Sequence, residues 1–206
     1  MSLSEYFVLL VLTLQVAGVA TAINIPFALL ASWLVVKKKV PGRGVIDLVV
    51  ALPLVLPPVV VGYFLLLVLG RNGPVGMAIH AVLGVDIVFT WVAAVCASAA
   101  VSFPLVVRSV MVAMGGVDER LEWCARSLGA RPWRVFFTVT MPLAHRGILA
   151  GVLLGFIRAL SEFGATLVVA GNIVGRTQTL PLAIFSKVQL GDDHVAMRLI
   201  AASLAL

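Results

Sequence analysis

The sequence predicts an all-α, polytopic membrane protein of about five transmembrane helices, with its N-terminus outside and one charged helical block in the cytoplasm. Three observations carry this. Hydrophobic residues make up 62% and charged residues only 12% of the 206 positions, and with a mean hydropathy of +1.14 too little polar surface remains to cover a soluble globule. Several apolar runs reach the roughly 20 residues that a hydrocarbon core about 30 Å thick demands, and in lipid such runs satisfy their backbone as helices rather than as an open sheet. The basic residues gather beside those runs as topology signals, so the net charge of +6 does not point to nucleic acid.

The first span, 6–36, carries no ionisable side chain apart from Tyr6. It is longer than one crossing needs at about 1.5 Å per residue, so it must tilt, bend or protrude. Pro26, preceded by Gly18 and Asn24, is the expected bend. Neither a basic leader nor a small-residue cleavage site accompanies it, so it is not read as a removable signal peptide. Lys37, Lys38, Lys39 and Arg43 follow and belong in the cytoplasm, which puts the N-terminus outside. The second span, 45–69, contains Pro53, Pro57 and Pro58. Each removes a backbone donor and clashes with the preceding turn, so this helix is expected to be broken or strongly bent, a shape suited to a pathway wall. The nearly neutral stretch 70–86 reads as an outer loop, and 87–107 is the third span. The segment 108–147 sets six arginines against Asp118, Glu119 and Glu122 and reads as cytoplasmic. The fourth span is 148–170. An outer loop follows, in which LPLAIF suits a short re-entrant or interfacial helix. The fifth span, 195–206, stops after about 12 residues, too few to cross, so the chain is expected to be truncated there. All 206 residues read as one transmembrane domain.

Asp118 is a suitable N-cap for a helix whose first turn holds Glu119 and Glu122 and whose stop is Gly129. Leu121, Cys124, Ala125 and Leu128 share one face, while Glu122 and Arg126 pair at i,i+4 on another. Pro132 opens a second helix. This helix-turn-helix suits docking in a partner's groove; equally, it suits resting on anionic headgroups.

In the fourth span, Arg158 and Glu162 lie one helical turn apart at membrane depth, where unpaired charges cost several kcal/mol. Either they satisfy each other and fix packing, or Arg158 offers a positive site to a passing divalent anion while Glu162 tempers its affinity. Gly164 suits close approach at a subunit interface, and Asp47 reads as a charge at a helix N-terminus. Cys96 and Cys124 lie at different depths without ligand spacing, and His80, His145 and His194 are dispersed, so no metal or cofactor is expected. No G-x-x-x-x-G-K-[ST] loop is available to cradle ATP. No nucleophile with a base converges at one depth, as an intramembrane enzyme would need.

The stretch EWCARSLGARPWRVFFTVTMP, Glu122 to Pro142, resembles the EAA loop of ABC importer permeases, matching its spacing from Gly129 to Pro142 without a gap. Trp123 stands where that motif has Glu, Cys124 and Ala125 take the alanine positions, and Val139 and Met141 replace Ile and Leu. PGRGVIDLVVALPLVLPPVVVGYFLLLVLGRNGPVG, RVFFTVTMPL and RALSEFGATLVVAGNIVGRTQTLPLAIF resemble the molybdate-type permeases of the oxyanion importers, so the similarity covers nearly the whole chain. The resemblance implies a type I ABC importer permease bundle in the cell membrane, paired with a second copy of itself as a homodimer. It implies that each subunit meets a cytoplasmic ABC ATP-binding subunit through Asp118, Glu122, Trp123, Cys124, Ala125, Gly129 and Pro142, while an extracytoplasmic substrate-binding protein delivers the oxyanion. The permease itself then has no catalytic residue. Molybdate is the implied substrate, with tungstate and sulfate or thiosulfate as alternatives, and a membrane anchor without transport as a further one.

Overall fold

A computed structural model describes residues 3–38 and 40–204. Lys39 of the basic cluster and the last two positions of the expected fifth span lie outside the described residues. The described residues are helical or in turns, with no strand among them. Helix α1, Leu3–Ser32, runs through Pro26 and continues into a π-helical turn, Trp33–Lys37. The expected bend at Pro26 does not interrupt the helix. The stretch is pinned to its neighbour instead, because Asn24 Nδ2 donates to Ala99 O and to Ser102 Oγ, each at 3.0 Å.

The expected second span is two helices, α2 (Arg43–Val55) and α3 (Pro58–Leu69), meeting at 114°. Pro53 lies inside α2, and the break falls at Leu56 and Pro57, both extended with ψ of 139° and 138°. Each of these residues precedes a proline, whose ring excludes the helical region for the residue before it. The expected outer loop contains a short apolar helix, α4 (Pro74–Leu83), opened by a proline and closed by Gly84 at φ +68. Helix α5, Trp91–Gly115, begins later and ends later than the expected 87–107. Arg108 lies within it rather than ending it, because Asp47 of α2 sits 2.9 Å away and balances the charge.

Helix α6, Glu119–Ser127, is the charged block. After it, α7 (Pro132–Val135), a second π turn (Phe136–Thr140) and α8 (Met141–Leu160) run as one apolar helix of 29 residues. The helix in the region of the expected fourth span, 148–170, therefore starts well before 148 and stops at Leu160. The chain continues with α9 (Gly164–Val169), α10 (Leu180–Gln189) and α11 (Asp193–Leu204). Among the described residues, 3 helices are long and apolar enough to cross a membrane, or 4 with the α2–α3 pair counted as one broken span. The expected fifth span, 195–206, falls in α11, of which 12 residues are described.

Helix α5 is the centre of the bundle, packed chiefly on α1 and α8. Its core is built from small side chains: Ala93, Ala94, Ala97 and Val101 meet Val16, Ala17 and Ala20 of α1. Further along, Val106, Val107, Val110 and Met114 meet Ala144 and Ile148 of α8. With hydrocarbon outside, burial gives little drive, and close backbone approach must hold the helices together. Gly147, Gly151 and Gly155 of α8 provide it. A Cβ at Gly147 would lie 2.5 Å from Ala113 Cβ, one at Gly151 2.6 Å from Ser109 Cβ, and one at Gly155 would strike Val106 Cγ2. Phe7, Phe27, Leu48, Leu153 and Ile157 face outward, as side chains bordering lipid do. Replacing Gly151 with Val is expected to destabilise the purified protein by about 1–3 kcal/mol through overpacking, read as a lowered melting midpoint in detergent. Gly18→Ala, with nothing within 4 Å of the added Cβ, should leave that midpoint unchanged or raised.

Candidate functional site

The two helix breaks face each other. A Cβ at Gly164, the first residue of α9, would lie 3.3 Å from Pro58 Cβ and 3.2 Å from Val59 Cγ2 of α3. One turn on, a Cβ at Gly62 would come within 2.7 Å of the Ala165 Cα and carbonyl oxygen. The close approach made by Gly164 is therefore within the chain, between α3 and α9. Glu162 sits in the second break and not on the same helix as Arg158, because α8 has ended at Leu160. Its Oε1 accepts the Ala165 N–H at 2.8 Å, satisfying a donor at the start of α9. Its Oε2 lies 2.9 Å from Arg158 Nη2 in a close ion pair.

Glu162 is 2% exposed, whereas the Arg158 side chain keeps 26% of its surface open. A hollow of about 250 Å³ lies against Arg158, Ser161, Phe163, Pro58 and Val59. Phe163 is fixed by the Phe185 ring of α10 at 4.9 Å. The arrangement holds one guanidinium by a buried carboxylate and leaves part of it facing open space. That suits weak, reversible contact with an anion. Pro57 and Pro58 stand at this place; Pro53 stands apart from it, in α2.

The second centre surrounds α6. Asp118 caps it, its Oδ1 accepting the Arg120 N–H at 2.9 Å, and Gly129 ends it at φ +86, a backbone conformation that favours glycine. Trp123 and Leu128 are 64% and 88% exposed. Leu121 and Cys124 are exposed beside them, and Ala125 is partly covered. Among the described residues, the apolar face read from the sequence is thus largely uncovered.

Glu122 points the other way and is 3% exposed. Arg126 Nη2 is 3.5 Å from its Oε2, but its closer partners were not read from the sequence. Lys37 Nζ lies 2.8 Å from Oε1, and Thr140 Oγ1 donates to the same oxygen at 2.7 Å. Lys37 had registered only as one of a run of topology-setting lysines. Pro142 follows the second π turn, where a proline ring would strain a regular ladder. Cys96 and Cys124 are free thiols, and no three His, Cys, Asp or Glu side chains converge on a metal site among the described residues.

Fold and sites together define a helical membrane component with a short amphipathic helix exposed on its apolar face and a broken apolar helix pair. The family model for the binding-protein-dependent transport system inner membrane component matches residues 24–202, and the chain belongs to that family. It is 46% identical over 196 residues to the molybdenum transport system permease protein ModB of Escherichia coli (strain K12), covering 95% of this chain and 86% of that one. It is 47% identical over 189 residues to the protein of the same name from Haemophilus influenzae, covering 91% and 82%. The sulfate transport system permease protein CysW of a Synechocystis species is more distant, 37% identical over 173 residues, with 84% of this chain and 62% of that one covered. A solved amino acid ABC transporter, determined with histidines, shares the fold at a TM-score of 0.56 and 20% identity, covering 98% of this chain and 94% of that one. The chain is a multi-pass membrane permease component and not an enzyme.

Arg158→Met would leave the buried Glu162 carboxylate without its counter-charge and is expected to cost about 3 kcal/mol. Glu162→Gln keeps an acceptor for the Ala165 N–H and should cost about 1 kcal/mol. Thermal unfolding of the two variants in detergent measures both, and Arg158→Met is expected to melt lower than Glu162→Gln.

Proposed function

We propose that this chain is the permease subunit of an ATP-driven importer for molybdate. The observation that carries the reading is the 46–47% identity to molybdenum permeases along more than nine-tenths of the chain, against 37% to the sulfate permease. In this reading two copies form the pathway. The uncovered face of α6, with Leu121, Trp123, Cys124 and Leu128, enters a groove of a cytoplasmic ATP-binding subunit, while a binding protein loads the oxyanion from the other side, where the N-terminus lies.

Molybdate is a divalent tetrahedral oxyanion. The half-open guanidinium of Arg158 at the meeting of two helix breaks supplies a donor of matching charge, and Glu162 keeps its hold weak enough for release. Closure of the ATP-binding subunits tilts the spans through α6 and exchanges the side on which this place is open. Sulfate carriage is the second reading, favoured by the relationship to CysW.

ATP hydrolysis by the complete complex, with molybdate, tungstate and sulfate at matched concentrations, tests the substrate. Stimulation by molybdate is expected; stimulation by sulfate alone would replace the first reading with the second, and an assembled complex that responds to none would favour an anchor. Gly129→Pro imposes φ near −65° on a residue held at +86. It is expected to lower uptake by at least about tenfold while the ATP-binding subunit still copurifies. Normal uptake by that variant would remove α6 from the coupling path.

A further inference from the structure

We propose that Glu122, Lys37 and Thr140 form a joint that delivers the motion of α6 into α1 and α8 at once, making the three positioning residues for coupling. The inference rests on the reading of α6 as the docking helix and goes beyond it to the internal linkage. Its first support is a coincidence of geometry. The two π turns among the described residues end at Lys37 and at Thr140, and these two side chains meet the same oxygen, Glu122 Oε1, at 2.8 and 2.7 Å.

A π turn inserts one residue into a helix, so restoring regular α-helix would swing the side chains beyond it by about 100°. The aim of Lys37 and of Thr140 at the carboxylate therefore depends on both irregular turns. Such turns in long helices recur at functional sites. The turns also touch each other, with the Trp33 and Phe136 rings edge to face at 6.2 Å.

The second support is burial. Glu122 and Lys37 leave only 4% and 7% of their side chains exposed, and Thr140 is 2% exposed, so the link is largely shielded from bulk solvent. Lys37 Nζ reaches in addition to the Val117 carbonyl at 3.4 Å, just before α6 begins. A hollow of about 240 Å³, lined by Lys37, Glu122 and Thr140 together with Trp33, Arg126 and Phe136, leaves room for the cluster to shift. A charge fixed on α6 and gripped by the end of one long helix and the π turn inside another cannot move without taking them along or letting go.

The test uses the complete complex in proteoliposomes and reads molybdate uptake per ATP hydrolysed. Thr140→Val keeps the side-chain shape and the ion pair, and is expected to lower that ratio about threefold with assembly intact. Lys37→Met together with Glu122→Leu removes the link without leaving a buried charge unpaired, since Arg126, which also loses Glu122, is exposed. That double variant should lower the ratio at least about tenfold and let ATP turnover proceed without the binding protein, while Lys37→Arg with native Glu122 should restore most of the ratio. Unchanged uptake per ATP in Thr140→Val and in the assembled double variant overturns the joint.

Hydrogen exchange on the assembled complex, with and without ATP, decides the matter whatever the cargo proves to be. Trp33–Lys37 and Phe136–Thr140 should change protection together in the native protein and separately in Thr140→Val; separate change in the native protein overturns the proposal. Failure of the functional reading registers elsewhere, as native complex that imports no molybdate or α6 variants that leave the ATP-binding subunit indifferent.

Discussion

A backbone N–H or C=O left without a partner in an apolar medium costs several kcal/mol, and this constraint organises the molecule. Two helix breaks inside apolar stretches, after Val55 and after Leu160, are brought together in the fold. At the first, the prolines supply no N–H that would need a partner. At the second, the Glu162 carboxylate takes the Ala165 N–H and is itself balanced by Arg158. The charge follows from the break: a carboxylate is strong enough as an acceptor to satisfy a buried helix start, and a guanidinium is then needed to make the carboxylate tolerable. A positive group beside open space results from satisfying the backbone.

The bundle answers the absence of a hydrophobic drive between helices in the same economical manner. Alanine, serine and valine make up most of the inner sides of α5 and meet glycines of α8, so contact is made largely between backbones at close range rather than between long side chains. Polar links are few and placed where helices cross. Asn24 joins α1 to α5, Asp47 and Arg108 join α2 to α5, and Glu122 joins α6 to α1 and α8. Each spans a long sequence separation, so each fixes the arrangement of elements that local propensity leaves free.

Much of this was legible from composition and spacing. Apolar length located the spanning material, Pro57 and Pro58 located a break, and Asp118 and Gly129 bracketed α6. Boundaries placed at charges were misread, since Arg108 and the arginines up to Arg146 lie within or between helices that continue past them. The reason is that a charge ends an apolar run on paper, but in the fold it ends nothing if a partner such as Asp47 is near. Glu122 shows the limit more plainly. Its i,i+4 relation to Arg126 is visible locally and suggests a solvated face, whereas Lys37 stands far away in sequence and Thr140 18 residues on, and neither announces a relation to it. The π turns that aim them leave no local mark that periodicity could detect. Gly147, Gly151 and Gly155 were visible as letters, but in a chain with 18 glycines their common face emerges only once α8 is known to lie on α5.

That face has an evolutionary consequence. Every single-base change in a glycine codon that replaces glycine with another amino acid adds a Cβ, and at these three positions the added atom would meet Ala113, Ser109 or Val106 inside normal contact distance. Most core positions have a neighbour in the genetic code that is nearly as good, such as valine for isoleucine. Here no such neighbour exists. Change on this face must begin on α5, where a side chain can shrink, and only afterwards reach α8, so the order in which substitutions can accumulate along this contact is itself set by the packing.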